Sequence, residues 1–144
     1  MSKTIKVALA GAGAFGIKHL DGIQLIDGVE VVSLIGRELE KTQEVASKYG
    51  IAHVTTDLNE SLAIKEVDAV ILCTPTQMHA AQSIACLQAG KHVQVEIPLC
   101  DVYKDGAEVV ALQKQNGLVA MCGHTRRFNP SHQFVHQQIK AGHF

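Results

Sequence analysis

Residues 5–16 read Ile5-Lys6-Val7-Ala8-Leu9-Ala10-Gly11-Ala12-Gly13-Ala14-Phe15-Gly16, a short apolar run that breaks into three glycines spaced G-x-G-x-x-G. The run predicts a strand over residues 5–9, and a helix is expected to start within the glycine turn and reach about residue 23. Each glycine has its own task in such a turn. Gly11 permits the tight bend, Gly13 lacks the β-carbon that would block a pyrophosphate, and Gly16 lets the helix pack close to the strand. Backbone N–H groups and the positive end of the helix then face the phosphates. An isolated glycine pattern says little, but this one sits between a strand and a helix and is followed by a second strand, the order a dinucleotide-binding turn requires. Gly11, Ala12, Gly13, Ala14, Phe15 and Gly16 are therefore candidate cofactor-binding residues.

Outward from the turn, short β-branched runs alternate with longer helical patterns, punctuated by Gly, Asp and Pro. Residues 29–35 form a near-continuous apolar run, as expected of a strand covered on both faces. Residues 38–49 predict a surface helix with Leu39, Val45 and Ala46 inward and Gly50 as its left-handed terminator. A short strand near 51–55 and a helical turn near 59–64 lead to a strand at 69–73. The Thr76 hydroxyl is expected to cap a helix over 77–89, which Gly90 ends before a strand at 92–95. Asp101 is expected to cap a helix running to about residue 115, Asn116-Gly117 turns into a strand at 118–122, and Asn129-Pro130 opens a last helix toward residue 141. Six strands with crossover helices and no hairpin signal predict an α/β fold with a doubly wound, mostly parallel sheet.

Composition narrows the partners. The chain has 144 residues, 13 Lys+Arg against 14 Asp+Glu, a formal net charge of -1 and 47% hydrophobic positions. That is one domain's worth of chain, long enough to bury a core. With no excess positive charge to neutralise a run of phosphates, a nucleic-acid partner is not expected. No apolar stretch approaches the roughly 20 residues of a membrane helix, and Met1-Ser2-Lys3 leads straight into the first strand rather than a signal peptide, so a soluble, cytoplasmic protein is expected. Cys73, Cys86, Cys100 and Cys122 form no C-x-x-C pair and read as reduced thiols. His132 and His136 lie four apart on one helix face, but with no third ligand nearby no metal site is expected.

In an open parallel sheet the ligand lies beyond the carboxyl ends of the strands. Here those ends are Ala10-Gly11, Gly36-Arg37, Thr74-Pro75-Thr76, Glu96-Ile97-Pro98 and Gly123-His124. An acid at the end of the second strand would bind the ribose 2′-hydroxyl of NAD, but the chain has Ser33-Leu34-Ile35-Gly36-Arg37 there. A guanidinium can pair with a 2′-phosphate in bidentate fashion, which favours NADP; NAD stays open because Glu38 or Glu40 can swing toward the ribose. The bland alternative is a solvated Arg37 at a helix start. Gly36, Arg37, Cys73, Thr74, Pro75, Thr76, Glu96 and Ile97 join the candidate cofactor-binding residues, with residues 74–76 expected along the nicotinamide ribose. His79, one helical turn beyond Thr76, is either a further cofactor contact or a structural histidine.

Four stretches together carry a resemblance: residues 11–16, Thr74-Pro75-Thr76 with His79, Gly90-Lys91-His92-Val93 followed by Glu96-Ile97-Pro98, and Arg126-Arg127-Phe128-Asn129-Pro130. They resemble the glucose-fructose oxidoreductase, inositol dehydrogenase and rhizopine-catabolism family of nicotinamide enzymes over essentially the whole chain. The resemblance implies an NAD(P)-binding Rossmann domain over residues 1–123 and the start of a substrate domain over 124–144, the rest of that α/β substrate domain being expected but absent. Within the family the stretches around residues 73–79, 90–98 and 123–132 resemble dehydrogenases that oxidise a cyclic hemiacetal dicarboxylate to a pyrone dicarboxylate with NADP in aromatic catabolism. A homodimer is expected.

Most of the family has Glu-Lys-Pro where this chain has Glu96-Ile97-Pro98. Isoleucine accepts no proton, and Lys91 precedes the strand and so lies at its opposite edge. A hemiacetal hydroxyl must still lose its proton as hydride leaves, which makes His124, then Glu96, the candidate catalytic residues. Arg126 and Arg127, with His124, are the candidate substrate-binding residues, since guanidinium forks bind carboxylates through two parallel hydrogen bonds. Two other functions compete with a dehydrogenase: a nucleotide-sensing module without catalysis, and a remnant that binds nothing.

Overall fold

The apolar run at residues 29–35 forms a strand with helices packed on both faces, and the strands at residues 5–10 and 69–72 repeat the arrangement. The structure, a computed structural model, describes residues 4–144; the Met1-Ser2-Lys3 start that was weighed against a signal peptide lies outside the described residues. The elements alternate along the chain as β1 (Ile5–Ala10), α1 (Ala14–Ile23), β2 (Val29–Ile35), α2 (Leu39–Tyr49), β3 (His53–Thr55), α3 (Leu58–Leu62), β4 (Ala69–Leu72), α4 (Thr76–Gln88), β5 (His92–Glu96), α5 (Tyr103–Asn116) and β6 (Ala120–Gly123). A 3-10 turn (Thr125–Phe128) then leads into α6 (Pro130–Lys140). All six strands pair in parallel in the order β3-β2-β1-β4-β5-β6, the expected doubly wound sheet. The direction of winding reverses between β1 and β4, and that gap at the carboxyl edge is where such sheets hold ligands.

Alternation along the strands sorts side chains into two cores. Ala8, Ala10, Val70, Leu72, Val93 and Val95 pack with Leu62, Cys86, Leu87 and Val109 from α3, α4 and α5. Leu9 and Leu34 pack on the other face with Leu20 of α1 and Ala46 of α2. Gly50 and Gly117 close α2 and α5 in the left-handed conformation, at φ 70 and 63, and Asn129 caps α6 through Ser131 N with Pro130 at its first turn. All four cysteines are free.

Three local expectations are corrected. Thr76 is already the first residue of α4, so its hydroxyl caps nothing; Pro75, at φ -58 and ψ 142, makes the turn into the helix. Helix α5 begins two residues after Asp101, with Val102 at its cap position and no side-chain cap bond. Leu39 does not pack inward but stays 55% exposed, and α2 buries Thr42 and Ala46 instead. Among the described residues no helix is long and apolar enough to cross a membrane.

Candidate functional site

The glycine turn meets the sheet at closest approach. Gly11 has φ +111, and a β-carbon there would fall 2.4 Å from the Cys73 carbonyl oxygen, while one on Gly16 would fall 1.8 Å from the Gly11 carbonyl oxygen. Both clashes are with backbone, so only glycine fits. Gly13 differs: nothing lies within 4 Å of its β-carbon position. It sits at the cap position of α1 and supplies no capping side chain, and no acid occupies the helix's first turn. The first amides of an α-helix lack intrahelical acceptors. Here they face open space behind a glycine, which fits a diphosphate. Phe15 is 63% exposed and carries Lys18 Nζ 5.3 Å from its ring centroid.

At the end of β2, Gly36 is again set by contact, since a β-carbon would fall 1.9 Å from Thr42 Oγ1. Arg37 reaches into solvent with its side chain 94% exposed and only a loose 3.7 Å approach to Glu38. Lys41 holds Glu38 at 2.6 Å, and its hydrogen bond and charge keep the Glu38 carboxyl below the usual carboxylate range. Glu38 is thereby occupied and Arg37 is available.

The remaining strand ends converge beside the turn. Cys73 N donates to Ala10 O at 2.7 Å, which joins the ends of β1 and β4. Thr74 Oγ1 donates to Gln82 Oε1 at 2.5 Å. His79 does not face the crevice: it is 1% exposed, with Nδ1 2.7 Å from Pro98 O and Nε2 2.7 Å from Thr74 O. Both edges of the ring are spent on backbone, so His79 ties the Thr74 and Pro98 loops together rather than reaching a ligand. Glu96, at the end of β5, accepts a hydrogen bond from His19 Nε2 at 2.8 Å. Ile97 after it is 44% exposed. Burial, with the Glu96 charge second, pushes the Cys73 thiol up to about 12. The Cys122 thiol is raised for the same two reasons, in the same order. His124 is exposed, its Nδ1 3.2 Å from Cys122 O.

An oxidoreductase family with an NAD-binding Rossmann fold matches residues 5–124. The chain belongs to that family. It is 64% identical over 96% of its length to 4-carboxy-2-hydroxymuconate-6-semialdehyde dehydrogenase from Sphingobium sp., of which it spans 44%. Among solved structures, the WlbA dehydrogenase from Bordetella pertussis, in complex with NADH and UDP-GlcNAcA, is 28% identical with a TM-score of 0.91, over 99% of this chain and 41% of that one. Scyllo-inositol dehydrogenase from Lactobacillus casei, with bound NAD(H) and scyllo-inositol, is 25% identical with a TM-score of 0.90, over 97% of this chain and 42% of that one. The chain thus spans less than half of each of these relatives.

In this oxidoreductase-family domain the candidates divide by place. Residues 11–16, Gly36, Arg37, Cys73, Thr74, Pro75, Thr76, Glu96 and Ile97 follow the carboxyl edge of the sheet. Arg126 and Arg127 sit in the 3-10 turn and, with His132, Gln133 and His136 of α6, line a separate open hollow of about 460 Å³. His132 and His136 therefore share a face, but no group of three metal-ligating side chains exists among the described residues. Lys91 lies at the amino edge of β5, where Nζ donates to Ile64 O at 3.0 Å and Val67 O at 2.7 Å. Sequence reasoning missed His19, whose partner stands 77 residues away. The available signal was alternation: Glu96 falls opposite in phase to the inward Val93 and Val95, on the side that carries α1.

Proposed function

We propose that this chain forms the nicotinamide-coenzyme half of an NADP-dependent dehydrogenase that oxidises the cyclic hemiacetal of 4-carboxy-2-hydroxymuconate-6-semialdehyde to 2-pyrone-4,6-dicarboxylate. In this reading residues 1–123 make the coenzyme domain and residues 124–144 open the substrate domain. The observation that carries the coenzyme reading is the uncapped, acid-free start of α1 behind a glycine whose β-carbon position is open. The substrate reading rests on the 64% identity to the Sphingobium relative and on Arg126 and Arg127.

The amides of α1 would hold the diphosphate, and Arg37 the 2′-phosphate, since Glu38 is engaged by Lys41. When bound, the nicotinamide supplies the hydride acceptor. Arg126 and Arg127 would fix the two carboxylates of the substrate through paired hydrogen bonds. His124 or Glu96 would accept the hydroxyl proton, because Ile97 has no basic atom. That same isoleucine favours one alternative, a module that binds nucleotide and performs no chemistry.

Fluorescence titration with NADPH and NADH tests the coenzyme assignment. Both are expected to bind, NADPH more tightly, and Arg37→Ala should weaken NADPH by about five- to tenfold while leaving NADH within twofold, the range for an exposed charge-assisted contact. Added salt should narrow the same gap. If neither nucleotide binds or shifts the melting temperature, the dehydrogenase and sensing readings fail together. Calorimetry with 2-pyrone-4,6-dicarboxylate on Arg126→Ala and Arg127→Ala separates them: the sensing module shows no binding to lose.

A further inference from the structure

We propose that His19 is a positioning residue for the nicotinamide side of the crevice, acting through the Glu96 carboxylate; this rests on the coenzyme reading above. His19 lies on α1, the helix whose first amides face the diphosphate space, and its Nε2 reaches Glu96 Oε1 at the carboxyl end of β5. Strand β4 lies between α1's own strand pair, β2 and β1, and β5, so this one bond crosses the switch point between β1 and β4. The two side chains are 21% and 15% exposed, well below a freely solvated ion pair.

The carboxylate has no other means of orientation. His19 is its one hydrogen-bond partner among the described residues, made through Oε1 alone, so Oε2 remains free to accept. Gly123, opposite Glu96 in the β5–β6 register, keeps space beside it, since a β-carbon there would come 3.2 Å from Oε1. The thiols of Cys73 and Cys122 flank the carboxylate but are held in the neutral form, chiefly by burial. Ile97 contributes an alkyl surface and no donor. A carboxylate fixed at one oxygen and open at the other is an acceptor for a hydroxyl group, the chemistry of the nicotinamide ribose. It offers nothing to the adenosine or diphosphate portions, which are anionic or lie across the switch point.

The test compares two probes on the intact chain. NADPH carries the nicotinamide riboside; 2′-phosphoadenosine 5′-diphosphate shares its adenosine, 2′-phosphate and diphosphate and lacks that riboside. His19→Leu is expected to weaken NADPH by about tenfold and to leave the fragment within twofold, the loss expected when a hydrogen bond to a charged group goes. His19→Gln, which keeps an N–H donor, should restore NADPH to within about threefold of wild type. Glu96→Gln should reproduce the selective loss and covers the case in which the leucine variant does not fold. Equal loss of both probes, as from a distorted helix, or unchanged NADPH binding overturns the proposal. A wild-type chain that binds the fragment but shows no gain from the riboside overturns it while sparing the diphosphate site; a chain that binds neither probe overturns the coenzyme reading as well.

Discussion

Gly13 and Gly16 are three residues apart in one turn, yet the structure assigns them opposite consequences on substitution. A β-carbon on Gly16 would stand 1.8 Å from the Gly11 carbonyl oxygen and 3.1 Å from Leu9 Cδ2. Since β-carbon contacts under 3.0 Å essentially never occur, the start of α1 would have to retreat by at least roughly 1 Å from a sheet of interlocked strands. Overpacking of that kind costs about 2–3 kcal/mol. For a domain of this size, that lowers the melting temperature by roughly 6–12 °C. Gly13 has φ -85 and ψ -168, extended backbone that alanine adopts, and its β-carbon would meet nothing within 4 Å. Gly13→Ala should therefore melt within about 2 °C of wild type, as surface changes do. The methyl group enters the space assigned to the diphosphate, and NADPH should bind at least about tenfold more weakly, a difference of about 1.4 kcal/mol. Circular-dichroism melts and NADPH fluorescence titrations on both variants read the two effects separately. If Gly13→Ala binds NADPH as wild type does, the open position is not the diphosphate seat, and the argument from the uncapped helix is refuted.

Lys91→Met removes the ammonium that satisfies the Ile64 and Val67 carbonyls. Leaving two largely buried acceptors without a donor should cost about 2–3 kcal/mol, seen in urea or thermal melts, with NADPH affinity unchanged because Lys91 lies at the far edge of the sheet. Cys73 and Cys86 should resist iodoacetamide in the folded protein, because both thiols are pushed up to about 12, mainly by burial. At pH 8 only about one in 10⁴ of each would be thiolate, which mass spectrometry of alkylated protein checks. The same shifts make stability fall with rising pH. The folded state keeps these protons above pH 9 and the unfolded state loses them, so unfolding free energy declines between about 9 and 12, by up to about 1.4 kcal/mol per pH unit for each thiol. Cys73→Ala should flatten that alkaline decline relative to wild type in urea titrations.

The backbone tasks were the legible ones. Gly11 and Gly16 act through the absence of a side chain at fixed spacing in one turn, and the strand order follows from alternating strands and crossovers, so both can be read locally. Caps were less legible, because Thr76 and Asp101 qualify by residue type while the helix boundary depends on where the backbone dihedrals turn, a matter of one or two residues. His79 illustrates a second limit. A histidine at a helix start looks the same in sequence whether its ring faces a ligand or the Thr74 and Pro98 carbonyls, and only the fold of the Pro98 loop decides it. Lys91 and the His19 to Glu96 bond are contacts between residues 24 to 77 apart, beyond the reach of any periodicity.

Two kinds of recognition meet at the carboxyl edge because every strand there runs the same way. At the end of β1 the groups on offer are amides, which carry no net charge and leave the chain close to neutral at -1. At the end of β5 the group on offer is a carboxylate, which would repel a phosphate and suits a hydroxyl. A ligand with a diphosphate near one end and sugar hydroxyls toward the other matches both, in one orientation only, and the reversed ligand would set phosphate against Glu96. In the proposed coenzyme site the bond from His19 would then have a directional consequence: it ties the acceptor that would repel a reversed ligand to the helix whose amides would receive the diphosphate.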